Sequence, residues 1–202
     1  MNAILAFHKA NYGDCTGVKD LARSSLAESP RGFNQVYSVL AMAQCGQGPE
    51  AEKLIEAEGR NSPLNTLMHA VHIPLIKAIG QLNRGNAASA VATLEVSRPY
   101  DAAAGPLSLP YSAVWVRGQA LLQMKKNDEA IAEFKKILDY PGRFSVSQFI
   151  PLARLSTARA LVAKGDNAKA KIAYQDLLAF WKDADADLPV VVQAKAEYGK
   201  LQ

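Results

Sequence analysis

A spaced pattern of small and large apolar residues recurs five times along the chain and constrains its fold more than any other feature. Each copy has a small residue, a second small residue 12 positions later, and a large apolar residue 4 positions after that. The most regular copy is Gly118, Ala130, Phe134; the others are Ala158, Ala170, Tyr174; Ala78, Ala90, Leu94; Val39, Ala51, Ile55; and, least regular, Ala6, Val18, Ala22. The middle members lie 33, 39, 40 and 40 residues apart, and this spacing predicts a repeat architecture.

A turn signal lies five residues before the middle member of each copy. Glycine often ends a helix in the left-handed conformation, and Asp or Asn often caps the next helix. The chain also contains 34 alanines and 22 leucines, a composition that favours helices over a β-rich fold. The pattern therefore predicts helical hairpins, which must stack because one hairpin cannot bury its apolar face alone. The turns are at Gly13-Asp14, Gly46-Gln47, Gly85-Asn86, Lys125-Lys126 and Gly165-Asp166.

The segment YSAVWVRGQALLQMKKNDEAIAEFKKILDYPG resembles the tetratricopeptide repeat (TPR). Gly118, Ala130, Phe134 and Pro141 occupy the family's small, small, aromatic and proline positions, whereas Lys125 replaces its usual turn glycine. The resemblance covers nearly all the chain. It implies an all-α fold, a right-handed superhelical solenoid of about five TPR-like hairpins plus a C-terminal capping helix. The expected hairpins span about 1–30, 32–60, 71–98, 111–140 and 151–182, and the capping helix spans about 188–202, all within a single array.

The tail AYQDLLAFWKDADADLPVVVQAKAEYGKL is similar to the C-terminal TPR region of bacterial eukaryotic-like serine/threonine protein kinases. This resemblance implies the sensory or docking part of a membrane-anchored signalling protein, on either the cytoplasmic or the extracytoplasmic side. Two alternatives stay open: the TPR segment of a winged-helix transcriptional regulator, and a self-associating structural array in an envelope assembly. The first helix begins without a cap, so we expect the native protein to continue N-terminally.

The resemblance also places the first helix of each hairpin on a concave surface, where TPR proteins bind their partners. Around the first small residue of each copy, helical spacing predicts one inward-facing stripe. The stripe is apolar and edged by amides, so it suits an extended peptide or a helix, with Trp115 and Tyr37 as anchors. Alternatively, its residues form the core between repeats. The stripe comprises Tyr37, Leu40, His72, Leu75, Ile79, Trp115, Gln119, Leu155 and Arg159, with Asn83 and Gln123 one turn further along.

Other function classes find little support in the sequence. The net charge is +4 and the basic residues are not clustered, so we expect no nucleic-acid partner. No apolar run is long enough to span a membrane. We find no kinase motifs and no catalytic Ser–His–acid or Cys–His set, and therefore predict a non-enzyme without a cofactor. His69 and His72 lie three residues apart but have no acidic ligand in the same register, so we predict no metal site.

The two cysteines fall at helix ends that an antiparallel stack would make neighbours. Cys15 would start the second helix of the first hairpin, and Cys45 would end the first helix of the second hairpin. This layout permits a disulfide but does not require one. Two buried thiols that act as small apolar residues are the alternative.

Overall fold

The computed structural model describes residues 1–102, 109, 111–140 and 147–202, and these residues form helices with no β-strand among them. The all-α prediction is therefore confirmed. Pro141 and parts of the connectors after α6 and α8 lie outside the described residues. The helices are α1 (Asn2–Asn11), α2 (Val18–Glu28), α3 (Gly32–Gln44), α4 (Gly48–Asn61), α5 (Ile73–Asn83), α6 (Ala87–Thr93), α7 (Ser112–Gln123), α8 (Asn127–Leu138), α9 (Phe149–Ala163), α10 (Asn167–Phe180) and α11 (Pro189–Gly199).

Consecutive helices pack as pairs, and each pair packs on the next. Within the described residues the pairs are α1 with α2, α3 with α4, α5 with α6, α7 with α8, and α9 with α10, followed by α11 against α10. The first helix of each pair also packs on the first helix of the next pair, from α1 on α3 to α7 on α9. This neighbour-to-neighbour packing is typical of helical repeats.

The recurrent small and large residues form the contacts within and between the pairs. Every member of the five copies is buried. At the most regular copy, a Cβ added to Gly118 would lie 2.3 Å from Cε1 of the fully buried Phe134 ring, so that only glycine allows the two helices this approach. In this copy the pattern therefore marks a position where α7 and α8 approach closely.

The five predicted turns share one backbone conformation. Gly13, Gly46, Gly85 and Gly165 have φ between 80° and 86°, and Lys125 has φ 59°. The next residue donates its N–H to a carbonyl five positions back, as in Asn86 to Gln81 at 2.9 Å and Asp166 to Leu161 at 3.0 Å. This is the Schellman motif, which satisfies carbonyls left free at a helix end.

The third pair departs from the regular hairpin at both ends. A π-helical turn, Met68–His72, leads directly into α5. The short helix α6 is followed by a 3₁₀ segment, Glu95–Tyr100, which contains Pro99. Proline removes one backbone donor, so a regular α-helix cannot continue through this position.

A buried arginine fixes the chain after α6 against α7 and α8. The Arg117 side chain is 0% exposed, and its guanidinium contacts Glu133 at 3.0 Å and the carboxylate of Asp101. Burial alone would raise the pKa of Glu133, but hydrogen bonds from Arg117 and Lys136 outweigh it and hold that pKa below its ordinary value. The cluster therefore holds three segments of chain together with paired charges.

The disulfide joins the first pair of helices to the second. Cys15, just before α2, is bonded to Cys45 at the end of α3, with Cα atoms 5.5 Å apart. Beside it, the Gln44 amide donates to the Asn11 side chain at 2.8 Å, which ties the end of α1 to the end of α3.

The first helix also reaches the last helices of the array. The rings of Phe7 and Phe149 lie 6.3 Å apart, and a Cβ on Gly13 would lie 4.0 Å from that of Pro189. Burial lowers the pKa of His8, and a hydrogen bond with Gln148 partly opposes this effect. These contacts bring α1 across the interior to α9 and α11, although α1 and α9 are far apart in the chain. Within the described part of the chain, none of the helices combines the length and apolar character needed to cross a bilayer.

Candidate functional site

A cavity of about 310 Å³ lies between the ends of α1, α3 and α5 on one side and α7, α9 and α11 on the other. The approach of α1 to the C-terminal helices contributes to the wall, because residues at the end of α1 and residues of α11 both line the cavity. The lining residues are Ala10, Asn11, Tyr12, Gly13, Gln44, Ile79, Leu82, Asn83, Trp115, Val116, Gln119, Leu152, Leu155, Ser156, Arg159, Val190 and Gln193.

The predicted inward stripe divides into a part that lines the cavity and a part that does not. Its lining members are Ile79, Asn83, Trp115, Gln119, Leu155 and Arg159. Leu40, His72 and Leu75 are buried in the core. Gln123 is exposed and lies outside the lining. The alternative interpretation, that stripe residues form the core between repeats, therefore describes Leu40, His72 and Leu75. Ile79 and Leu155 are also buried in the core, although they border the cavity.

Tyr37 belongs to an internal aromatic cluster instead of the cavity wall. Its ring stacks on Phe33 at 4.1 Å and meets the edge of Phe7 at 4.7 Å. Trp115 contacts Phe149 at 5.7 Å between ring centres. The chain's own aromatic rings therefore surround Tyr37, one of the two expected anchors, whereas Trp115 also borders the cavity.

Carboxamides form most of the polar lining. Asn83 donates to the Ala43 carbonyl at 3.0 Å, and Gln119 donates to the Ser156 hydroxyl at 2.5 Å. The Gln44 amide nitrogen is bonded to Asn11, but the Gln44 Oε1 atom is buried and accepts no hydrogen bond from the described residues. The indole Nε1–H of Trp115 is likewise buried without a partner among them. Solvent reaches neither of these two atoms, so neither faces the open space of the cavity.

Arg159 is the one charged side chain among the described lining residues, and it is paired. Its guanidinium contacts Glu197 of α11 at 2.8 Å. Burial alone would raise the pKa of Glu197, but hydrogen bonds from Arg159 and Tyr174 outweigh it and hold the pKa below its ordinary value. The pair is therefore ionised at neutral pH, and its net charge is zero.

Potential metal ligands do not gather in the described residues. No group of three or more His, Cys, Asp or Glu side chains is placed to hold a metal ion there. The exposed His69 ring contacts the Ser62 carbonyl at 3.2 Å, whereas His72 is only 2% exposed. The two histidines thus lie in different environments.

Sequence reasoning missed Asn11, Gln44, Ser156 and Gln193 as lining residues. A signal for the first two was available in the repeat register. The same position, five residues after the first small residue of a copy, holds Asn11, Gln44, Asn83 and Gln123. Extending the stripe to this position in every hairpin would therefore have identified Asn11 and Gln44. No comparable signal marks Ser156 or Gln193, because their positions depend on the packing of α9 and α11.

Comparisons with protein-family models, with curated proteins and with solved structures gave no match to this chain. The geometry of the cavity and the residue patterns therefore carry the functional argument.

Proposed function

We propose that this chain is a non-catalytic interaction module, a TPR-like solenoid that binds a segment of a protein or peptide partner. The observation that carries the proposal is the cavity, whose lining is largely apolar and carries several carboxamide side chains. Binding pockets are typically apolar with a few convergent polar groups, and this cavity has that character.

The size of the cavity narrows the binding mode. At about 310 Å³ it lies at the small end of the range for ligand pockets. A whole α-helix is about 10–12 Å wide with its side chains and does not fit such a space. A short extended segment is therefore the binding mode that we propose, instead of a docked helix.

We further propose that the module is the docking or sensory part of a larger bacterial serine/threonine kinase. The resemblance of the tail supports this origin. The disulfide between Cys15 and Cys45 favours an oxidising compartment, and hence an extracytoplasmic position. The full open reading frame tests which larger protein contains this module. We expect it to encode a kinase domain, and a winged-helix domain would instead support the transcriptional regulator.

Selection of binding peptides tests the module itself. Peptides selected from a random phage library would be labelled, and their binding to the purified chain measured by fluorescence anisotropy. Gln193 is exposed and lines the cavity, so Gln193→Trp should block the cavity without disturbing the core. We expect this variant to weaken binding at least about tenfold, the loss of roughly 1.4 kcal/mol.

Lys195→Trp is the matched control, because Lys195 lies two residues later on α11, is exposed, and is not part of the lining. It should bind the selected peptides as the unmodified chain does. Failure to select any peptide, or equal binding by the Gln193→Trp variant, would count against the proposed site.

A further inference from the structure

We infer that the disulfide between Cys15 and Cys45 is a redox switch for the cavity. The bond holds the first helical pair, α1 with α2, in place at the cavity wall, and its reduction by a dithiol releases that pair and opens the wall. Because the cavity is the proposed binding site, this inference rests on the proposed function and adds the regulation of that site.

The disulfide lies directly beside the cavity wall. Cys45 follows the lining residue Gln44, and Cys15 comes two residues after the lining residue Gly13. The end of α1, residues 10–13, supplies one part of the wall, and the end of α3 adds Gln44. The bond therefore fixes the distance between two segments of the lining.

The other links at this end of the first pair are weak. The cluster that packs the pair on α3 next to the disulfide consists of small side chains, Ala6, Ala10, Val18 and Ala41. Small side chains bury little apolar area and so contribute little stabilisation. The larger Phe7 ring meets Tyr37 nearer the middle of α1, at 4.7 Å. At the cavity itself the disulfide is supplemented by the hydrogen bond from Gln44 to Asn11 at 2.8 Å.

Loss of the covalent link affects one end of the array. α1 and α2 pack on each other and on α3, whereas the pairs from α5 to α10 pack on their own neighbours. The stability of helical repeats is a sum over single repeats and neighbouring interfaces, so a terminal pair can loosen while the others stay packed. α1 meets α9 through Phe7 and Phe149 at 6.3 Å, and Gly13 lies against Pro189 at the start of α11. Both contacts are lost when the first pair moves away, and the cavity opens to solvent.

A thiolate can reach the disulfide from solvent. Cys15 is exposed in the connection between α1 and α2, whereas Cys45 is half-buried at the end of α3. Exposed disulfides are the more readily reduced class, and exchange proceeds through a mixed disulfide.

The exchange takes two steps. One thiolate of the dithiol attacks the Cys15 sulfur, which breaks the S–S bond, forms a mixed disulfide and releases Cys45 as a thiolate that takes up a proton. The second thiol of the reductant, as its thiolate, then attacks the reductant sulfur of the mixed disulfide, and Cys15 leaves as a thiolate that is protonated in turn. The protein gains two electrons and two protons, and the dithiol is oxidised to a disulfide.

Hydrogen–deuterium exchange tests whether reduction frees the first pair. The purified chain is compared in its oxidised form and after treatment with dithiothreitol. We expect the amides of α1 and α2 to exchange at least about tenfold faster in the reduced chain, because the cross-link no longer holds the pair. The amides of α8 and α10 should keep their rates. Reoxidation should restore the original rates in α1 and α2.

Quenching of Trp115 fluorescence by acrylamide reports on the cavity itself. Trp115 lines the cavity, and a Trp181→Phe variant leaves it as the one tryptophan of the chain. The quenching constant should rise on reduction, because the part of the wall that α1 supplies is gone. Cys15→Ser, Cys45→Ser in the same background is the control: its quenching should be at the higher value with or without dithiothreitol.

Three results would overturn the inference: unchanged exchange of α1 and α2 on reduction, faster exchange along the whole array, or faster exchange of the first pair without a change in Trp115 quenching. The first would show that other contacts hold the pair, and the second that reduction unfolds the chain. The third would show that the disulfide stabilises the pair without controlling the cavity.

None of these measurements uses a ligand, so failure of the switch leaves the proposed function to the peptide selection. With phage-selected peptides, reduction should weaken binding at least about fivefold, as expected for a site whose wall is coupled to the disulfide. Equal binding by the oxidised and reduced chains would overturn the regulation but not the site. If no peptide is selected, the proposed function fails whether or not the disulfide controls the cavity.

Discussion

Lys125 shows how one residue can depart from a repeat without destroying it. Four of the five turns use glycine at the left-handed position, and Lys125 adopts the same region with φ 59°. For residues with a Cβ atom this conformation costs about 1–2 kcal/mol. The backbone bond from Lys126 to the Leu121 carbonyl, at 2.9 Å, is nevertheless formed. The hairpin therefore holds the lysine in a conformation that the isolated chain disfavours.

We expect Lys125→Gly to raise the free energy of unfolding by about 0.5–1 kcal/mol, because relief of the left-handed strain exceeds the entropy cost of glycine. Urea denaturation measures the change. Lys126→Gly is the matched control, since Lys126 has φ −88° and should gain nothing. A lower stability for Lys125→Gly would show that the lysine side chain contributes more than its backbone strain costs.

At the scale of elements, the first hairpin and the last helix depend on specific links. A small cluster of Ala6, Ala10, Val18 and Ala41 packs α1 and α2 on α3. Small side chains bury little apolar area, so this interface gains less stabilisation than one built from leucine or phenylalanine. The disulfide adds a covalent link at the same place, and Arg159 with Glu197 links α9 to α11.

Loss of the disulfide should lower the free energy of unfolding by about 3–4 kcal/mol, given a separation of 30 residues between its cysteines. The double variant Cys15→Ser, Cys45→Ser and the unmodified chain treated with a dithiol reductant should show the same loss in urea denaturation. The reductant should not affect the double variant. Equal stability of oxidised and reduced chains would show that the cross-link adds nothing.

Acid should weaken the link between α9 and α11. The pKa of Glu197 in the folded chain lies below its ordinary value of 4.5, so its stabilisation is present above pH 4.5 and is lost as the pH falls through the folded pKa. We therefore expect the free energy of unfolding to fall less between pH 6 and pH 3.5 in Glu197→Gln than in the unmodified chain.

Asp176→Asn on α10, which removes an exposed carboxylate, serves as the control and should keep the full pH dependence. Denaturation with urea at each pH provides the measurement. Identical pH dependence in Glu197→Gln and in the unmodified chain would contradict this role of Glu197.

At the scale of the whole molecule, the return of α1 to α9 and α11 contributes to the cavity wall. Phe149 is central to this closure because it is 3% exposed and contacts both Phe7 and Trp115. Its ring therefore connects the beginning of the chain to the end of the array.

Phe149→Ala should lower the free energy of unfolding by about 3–5 kcal/mol, the usual cost of removing a buried phenylalanine. It should also increase the radius of gyration in small-angle X-ray scattering, since α1 loses its contact with α9. Phe180→Ala is the control, because that ring is 58% exposed. An unchanged radius of gyration would show that other contacts suffice to hold the closure.

The amino-acid sequence by itself determined the helices, their pairing and their turns. These features depend on residues close together in the chain: the spacing of Gly118, Ala130 and Phe134 sets one hairpin, and Gly165 ends one helix before the next begins. The register also predicted that Ile79, Trp115 and Arg159 would face one side of their helices. All of this information is local and repeats along the chain.

Only the tertiary structure decided where the array closes. The placement of distant hairpins depends on every helix interface between them, and no local pattern encodes it. This placement brings Phe7 to Phe149, buries Leu40 and Leu75, and leaves Trp115 beside a cavity. For the same reason the sequence left the bond between the cysteines open, because a disulfide depends on a distance that only the packed helices define.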